Sequence, residues 1–397
     1  MIRLGVIGHG YRLSRMIKLR MRQIMPELRV VGIVDPDEKG AKERLDECDK
    51  NDVVFYPNLE EMIKKANLDA LAIGTRCNLH TPYAIEASKY DIPVYLEKPV
   101  SINMEQAIEL ERAYENAKCQ VVVAFPLRVS PLFEKIKKLV DEGKIGQPYH
   151  ICAVNFKNGI DYFDMWYRDF NTTQGLFIQK ATHDIDYILY LMKSPIKRVA
   201  AMWTRGKIFG GNKPAGLRCS QCNEAERCPE SPINRKRNHS GVNSPKYASG
   251  DHMCLFASDI GTPETGMNED SSSILMEFES GAHGVYNQVF YVRRDAATRG
   301  ATVMGYEGTI NFDWTRNRFK FTQHHTPFTS VWKGAKTMAH YGGDDELVYD
   351  FYNIITGKGK PRTTIWDGIQ SIYVCLAAKQ SAEQGGFVDV RQVGSVK

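Results

Sequence analysis

Apolar positions in the first 125 residues fall into two kinds of run that take turns along the chain. Short, β-branched stretches occupy residues 1–7, 28–34, 53–56, 68–73, 94–96 and 119–124. Between them, apolar residues recur at helical spacing over 14–25, 38–47, 59–66, 81–89 and 104–117. Strands that alternate with helices in this way predict a parallel, doubly wound sheet with right-handed crossovers. After Phe125 the pattern changes. Residues 130–142 read as a helix, with Ser130 as its cap and Leu132, Ile136 and Val140 on one face. Gly143 and Gly146 close it. From residue 150 onward, alternating runs at 150–156, 199–205, 272–279, 284–293, 301–305 and 318–322 predict a large, open, mostly antiparallel sheet. A helix over 367–385 carries Ile369, Ile372, Tyr373 and Leu376 at helical spacing and is expected to pack back on the core. The chain is thus expected to be α/β, with a doubly wound domain at 1–125 and an α+β domain at 126–397.

The loop after the first strand reads Gly8-His9-Gly10-Tyr11-Arg12-Leu13 and leads into a helix. Strand, glycine turn and helix form the context a dinucleotide fingerprint requires. Gly8 permits the tight turn, Gly10 lets a pyrophosphate approach the backbone, and the helix start offers N–H groups. Leu13 stands where the pattern has its third glycine. The second strand ends in Asp35, 25 residues after Gly10, near the distance at which a carboxylate accepts from an adenosine ribose. A carboxylate there repels a 2′-phosphate, which favours NAD over NADP. Asp35-Pro36-Asp37 also precedes a helix, so capping is the competing explanation.

The fifth strand ends on Glu97-Lys98-Pro99. Pro99 has no N–H for the ladder, so the two charges sit at a strand's carboxyl end. A lysine there is either an inert surface charge or a site group whose desolvation brings its pKa into a useful range. Thr75 and Lys98 share their sheet edge with Gly8 and Asp35, the edge where open α/β sheets bind ligands. Further on, Gln179, His183 and Asp186 fall on one helix face, where Asp186 can orient His183 for proton exchange. A lone histidine on such a helix is otherwise a satisfied core residue.

These pieces resemble the Gfo/Idh/MocA oxidoreductases, NAD(P)-dependent enzymes acting mainly on sugars and cyclitols. The resemblance rests on Val6-Ile7-Gly8-His9-Gly10, Val34-Asp35, Thr75 with His80, Glu97-Lys98-Pro99, Arg128 with Pro131, and Gly143-Lys144-Ile145-Gly146. It continues through His183-Asp184-Ile185-Asp186, Gly305-Tyr306-Glu307-Gly308 and Gly342-Gly343-Asp344. It implies a dehydrogenase with a nicotinamide cofactor held by Gly8, Gly10, Tyr11, Arg12, Asp35, Thr75, His80, Glu97, Lys98 and Arg128. It also implies a catalytic set of the strand-end Lys98, His183 and an aspartate four residues before that histidine. Here that position is Gln179, which cannot relay a proton as a carboxylate does. Lys180 beside it is a substitute cation or a solvated charge. A carbohydrate substrate is expected against Lys98, Arg128, Trp166, Arg168, Lys180 and His183, with His150, Tyr291, Arg293 and Arg294 as further candidates or as solvent- and partner-facing strand residues. The second sheet is implied to pair copies of the chain into a homodimer or homotetramer. Two other functions stay open: an NAD-dependent glycosidase working by transient oxidation and elimination, and a non-catalytic sensor of cofactor and sugar.

Composition changes this picture little. The 397 residues carry a net charge of +5 without a basic stripe, so no nucleic-acid partner is expected; the one basic cluster is Asn234-Arg235-Lys236-Arg237. No run of 18 apolar residues exists, so no membrane partner is expected. Strand-like residues from Ile2 onward and nine scattered cysteines lead to the expectation of a cytoplasmic, reducing setting. Residues 210–255 are rich in Gly, Asn, Pro and Ser and read as a long excursion. They hold Cys219, Cys222, Cys228 and Cys254, a spacing that suits structural zinc, less readily an iron–sulfur cluster, or else free thiols.

Overall fold

Six short strands build the first sheet: β1 (Ile2–Ile7), β2 (Leu28–Val34), β3 (Val54–Phe55), β4 (Ala70–Ile73), β5 (Val94–Leu96) and β6 (Val121–Val123). They pair in parallel in the order β3-β2-β1-β4-β5-β6, the doubly wound arrangement that alternation predicts. The computed structural model describes residues 1–237, 251–262, 264–335 and 340–395. Strand residues such as Leu4, Val6, Ile33, Ala72 and Tyr95 are buried, as strands covered on both faces must be.

The second sheet has nine strands: β7 (Pro148–Phe156), β8 (Ile196–Thr204), β9 (Ser271–Phe278), β10 (His283–Val289), β11 (Thr298–Gly305), β12 (Gly308–Asp313), β13 (Arg318–Gln323), β14 (Thr329–Lys333) and β15 (Phe387–Asp389). All its pairings are antiparallel except β7 with β10. Alternation divides its faces. Ile151, Val199, Ile274, Met276, Tyr286, Val303 and Ile310 point inward and are buried. The helices Thr182–Met192 and Ile365–Gln384 pack on this inner face. The outer face is open, with Met202, Leu275 and Val331 exposed.

Two elements join the halves. The helix Ile365–Gln384 starts with a capping box between Thr364 and Asp367 and packs against both β8 and the helix Met104–Tyr114. The helix Gly343–Ile355, absent from the pattern reading, buries Leu347, Val348, Phe351 and Ile354 in the core of the first sheet, where Phe351 meets Tyr95 edge to face. Its apolar spacing and its acidic first turn were a readable helix signal. Residues 205–270 form the excursion, which has a small core of its own: Phe209, Leu255, Ile260 and Met267 pack with Ile160, Phe163, Leu176 and Phe290. Among the described residues no helix is long and apolar enough to cross a membrane.

Arg128, just past the first domain, ties the helix Thr182–Met192 to the start of the helix Ile365–Gln384 electrostatically. Its guanidinium holds both oxygens of Asp186, at 2.6 and 3.1 Å, and reaches Asp367 at 3.0 Å and the Arg362 carbonyl at 3.1 Å. Burial pushes the Asp186 carboxyl up to about 7, and Arg128 works against that shift. Removing one partner of such a pair leaves an uncompensated buried charge. Arg128→Met is therefore expected to lower stability by about 3–5 kcal/mol near neutral pH, read from the urea midpoint, and Arg128→Met/Asp186→Leu to recover most of it. A loss below about 1 kcal/mol would mean that the pair does not hold the segment around Arg128 on the helix Thr182–Met192.

Candidate active site

The carboxyl ends of β1, β2, β4 and β5 share one edge of the parallel sheet. Gly8 sits there at φ +79°, and a Cβ on it would lie 2.8 Å from the Thr75 backbone, so the turn requires glycine. A Cβ on Gly10 would meet nothing within 4 Å, which leaves open space at the helix start Tyr11–Met16. The missing third glycine is supplied from the neighbouring strand. Leu13 packs so closely on Gly74 that a Cβ there would come within 2.9 Å of its side chain. Asp35 is not the cap of the next helix; Asp37 does that, accepting from the Gly40 N–H at 2.9 Å. The Asp35 carboxylate accepts from the His9 and Asp37 N–H groups at 2.7 and 2.8 Å, which clamps it to the glycine loop. The open space at Gly10 and the clamped carboxylate fit a dinucleotide's pyrophosphate and ribose. Tyr11 is exposed beside this loop, and Thr75 is partly exposed.

Lys98 leaves β5 and donates from Nζ to the main-chain carbonyl of Gln179 at 2.7 Å. That bond brings together Lys98, Gln179, Lys180 and His183, from the two ends of the pattern reading. Residues Phe177–Ala181 form a π-helical turn that runs into the helix Thr182–Met192. Burial lowers the Lys98 pKa to about 8. His183 is buried and its Nδ1 has no hydrogen-bond partner among the described residues. Burial first, and then Lys98, Lys180, Arg299 and His340, hold its pKa well below the ordinary range. Lys180 is only 7% exposed, not a solvated charge. Gln179 turns its main-chain carbonyl, not its side-chain amide, to Lys98, and its side-chain Oε1 is buried without a partner among the described residues.

Several expected roles change. Asp186 does not orient His183, because the Arg128 fork occupies both of its oxygens. Arg128 is correspondingly buried in structure and not free for cofactor or sugar. His80 is enclosed, with its ring nitrogens 2.8 Å from the Pro99 carbonyl and 3.2 Å from the Thr75 carbonyl, so it braces the two strand-end loops. Arg12 reaches Glu97 at 3.0 Å and both oxygens of Asp344 at 2.8 and 3.1 Å, so neither Arg12 nor Glu97 points free charge at a cofactor. Arg168 turns away to Asp259 and the Cys254 carbonyl and anchors the excursion. Trp166 lies between the Tyr167 ring and the Arg76 guanidinium, each 3.9 Å from its ring, at the end of β4. His150 is on the open outer face against His283, and Arg293 bonds Glu230 of the excursion. Tyr291 is exposed in a bridge with Asn158, and Arg294 opens the next turn.

The zinc expectation also changes. Cys219, Cys222, Cys228 and Cys254 line one cavity of about 270 Å³. Among the described residues, however, no three His, Cys, Asp or Glu side chains are placed to hold a metal ion. Burial pushes the Cys219 thiol up to about 11, which favours the protonated form. The apolar core of the excursion and its buried ion pairs, such as Arg235 with Asp164, already anchor it. Arg235 therefore belongs to the interior, not to a basic surface cluster.

Sequence reading gave no role to three residues around the site, two of them inside the motifs that carry the resemblance. Asp184 is fully buried and accepts from Arg299 at 2.7 and 3.0 Å, Tyr286 at 3.0 Å and Asn155 at 3.3 Å. Lys157 donates to the Tyr162 hydroxyl at 3.3 Å. Asp344 receives both Arg12 and His340.

Comparison with known proteins agrees with this architecture. Residues 2–125 match the NAD-binding Rossmann fold of the Gfo/Idh/MocA oxidoreductase family, and residues 137–390 match that family's C-terminal alpha/beta domain. YteT of Bacillus subtilis (strain 168) is 24% identical over 342 residues, 79% of this chain and 75% of that one. The myo-inositol 2-dehydrogenase of Thermotoga maritima is 25% identical over 204 residues, half of this chain and 58% of that one. A solved levoglucosan dehydrogenase, in complex with NADH and levoglucosan, shares the fold with a TM-score of 0.75 at 16% identity, covering 98% of this chain and 100% of that one. With both of the family's domains matched in order, the chain belongs to the Gfo/Idh/MocA oxidoreductase family.

Proposed function

We propose that this protein is an NAD-dependent dehydrogenase that oxidises a secondary hydroxyl of a sugar or cyclitol. The observation that carries the reading is the Lys98 ammonium, held 2.7 Å from the Gln179 carbonyl beside buried His183. A bound nicotinamide supplies the hydride acceptor. His183, kept neutral by its surroundings, accepts the hydroxyl proton. Lys98 donates to the same oxygen and stabilises the negative charge that develops on it. The C–H bond breaks with its electron pair, and the O–H pair becomes the second bond of the carbonyl. No carboxylate at position 179 is needed to hold Lys98, because a main-chain carbonyl does so. Asp35 favours NAD, since a 2′-phosphate would lie against its carboxylate.

The outer face of the second sheet supports assembly. Met202 and Leu275 are exposed on the adjacent strands β8 and β9, at register positions that share this face, and exposed apolar side chains grouped in this way mark contact surfaces. We assign it to contact with a second copy. Light scattering is expected to give at least twice the 45.0 kDa chain mass, and Met202→Glu/Leu275→Glu to reduce it; a wild-type monomer would refute the assignment.

Lys98→Ala is expected to lower kcat by about 10²–10⁴-fold while NADH binding, followed by fluorescence, is retained. Normal turnover in that variant would remove Lys98 from the mechanism. The pH dependence has a definite sign. Lys98 acts as a donor, so kcat/KM should fall as pH rises through about 8, where the ammonium loses its proton. His183 acts as an acceptor and titrates below its ordinary 6.5, so the acid limb should lie below that value. Asp35→Ser should narrow the preference for NADH over NADPH binding by about 100-fold, the size of a like-charge clash. Sugar release from a glycoside without net NADH would instead favour the elimination chemistry, and tight cofactor binding without any conversion would favour a sensor.

A further inference from the structure

The crevice holds more positive charge than a neutral sugar requires. Lys98, Lys157 and Arg299 all act on Lys180 there, and Lys98, Lys180 and Arg299 act on His183. Lys180 is 7% exposed and has no hydrogen-bond partner among the described residues. The carboxylate acting on it, Asp184, is consumed by both nitrogens of the Arg299 fork, the Tyr286 hydroxyl and the Asn155 amide. Lys98 is matched with a neutral carbonyl and Lys157 with a neutral hydroxyl. Glu97 is taken by Arg12, and Asp161 acts on Lys157. Position 179 contributes an amide whose Oε1 is buried without a partner among the described residues.

A buried amine without a counter-charge is costly, and burial accordingly depresses its proton affinity. Retaining Lys180 at such a place makes sense where a ligand supplies the missing charge. Building on the dehydrogenase reading, we propose that the substrate is a sugar acid whose carboxylate rests on Lys180, with Gln179 accepting from a neighbouring hydroxyl, while the hydroxyl to be oxidised faces Lys98 and His183. A carboxylate fits better than a phosphate. The guanidinium fork of Arg299 that would grip a phosphate is already spent on Asp184, and point-charge ammonium groups remain.

The test uses the full-length protein loaded with NADH. Glucuronate, galacturonate and gluconate are compared with glucose, galactose, myo-inositol and glucose 6-phosphate, by calorimetric binding and by NADH formation from NAD. At least one acid should bind about 10–100-fold tighter than its neutral counterpart, as a charge-assisted hydrogen bond gives. Binding should also take up a proton, seen as a heat that varies with the buffer's ionisation enthalpy. Lys180→Met should shrink the acid-to-neutral affinity ratio by about the same 10–100-fold and reduce the proton uptake, and Lys180→Arg should restore part of the ratio. An unchanged melting temperature and NADH affinity in these variants confirm that they fold. Equal affinity for acids and neutral sugars, a ratio untouched by Lys180→Met, or tightest binding of the phosphate would overturn the sugar-acid assignment and leave the dehydrogenase standing. Tight, Lys180-dependent acid binding with no NADH formed from any compound would do the reverse.

Discussion

The hydrogen bond from Lys98 to the Gln179 carbonyl is the constraint on which the site depends. It joins the carboxyl end of a parallel strand to a π-helical turn 81 positions away in the chain. A carbonyl holds an ammonium in place without cancelling its charge. The amine therefore keeps its donor role while burial lowers its proton affinity into the neutral range. A carboxylate in the same position would have raised that affinity instead.

Two ionic clasps keep the strand end and the helix in register. Arg12 leaves the glycine loop to grip Asp344, and His340 meets the same carboxylate. Arg128 grips Asp186 on the histidine helix and Asp367 on the last helix. Each clasp uses an arginine whose planar fork matches a carboxylate edge. Both arginines are thereby positioning residues. They leave Lys98, His183 and Lys180 as the groups with chemistry to offer, and burial, with the cations around it, keeps the His183 imidazole neutral.

Much of this was legible from local pattern. Strand-helix alternation predicts the parallel sheet, and period-two runs predict the antiparallel one with its open face. Lys98, His183, Gly8 and Asp35 could be singled out because a strand end or a glycine turn is a local property. What escaped depends on partners far along the chain. Arg12 and Asp344 are 332 positions apart, and Arg128 and Asp186 are 58 apart. Helix spacing put Asp186 on the face of His183, but spacing cannot show that an arginine from another segment reaches that carboxylate first. The cysteine spacing suggested a metal for want of a visible core, and the core lay in residues that reach the excursion from elsewhere, such as Phe163 and Phe290.

The most direct measurement is the ionisation of Lys98 itself, followed by NMR of protein labelled at the lysine ε-carbons and titrated from neutral to alkaline pH. One resonance should titrate with a midpoint of about 8 and be missing from Lys98→Ala. A Lys98 resonance that titrates at the ordinary value near 10.5 would show the amine to be solvated, and the desolvated donor at the centre of this site would not exist.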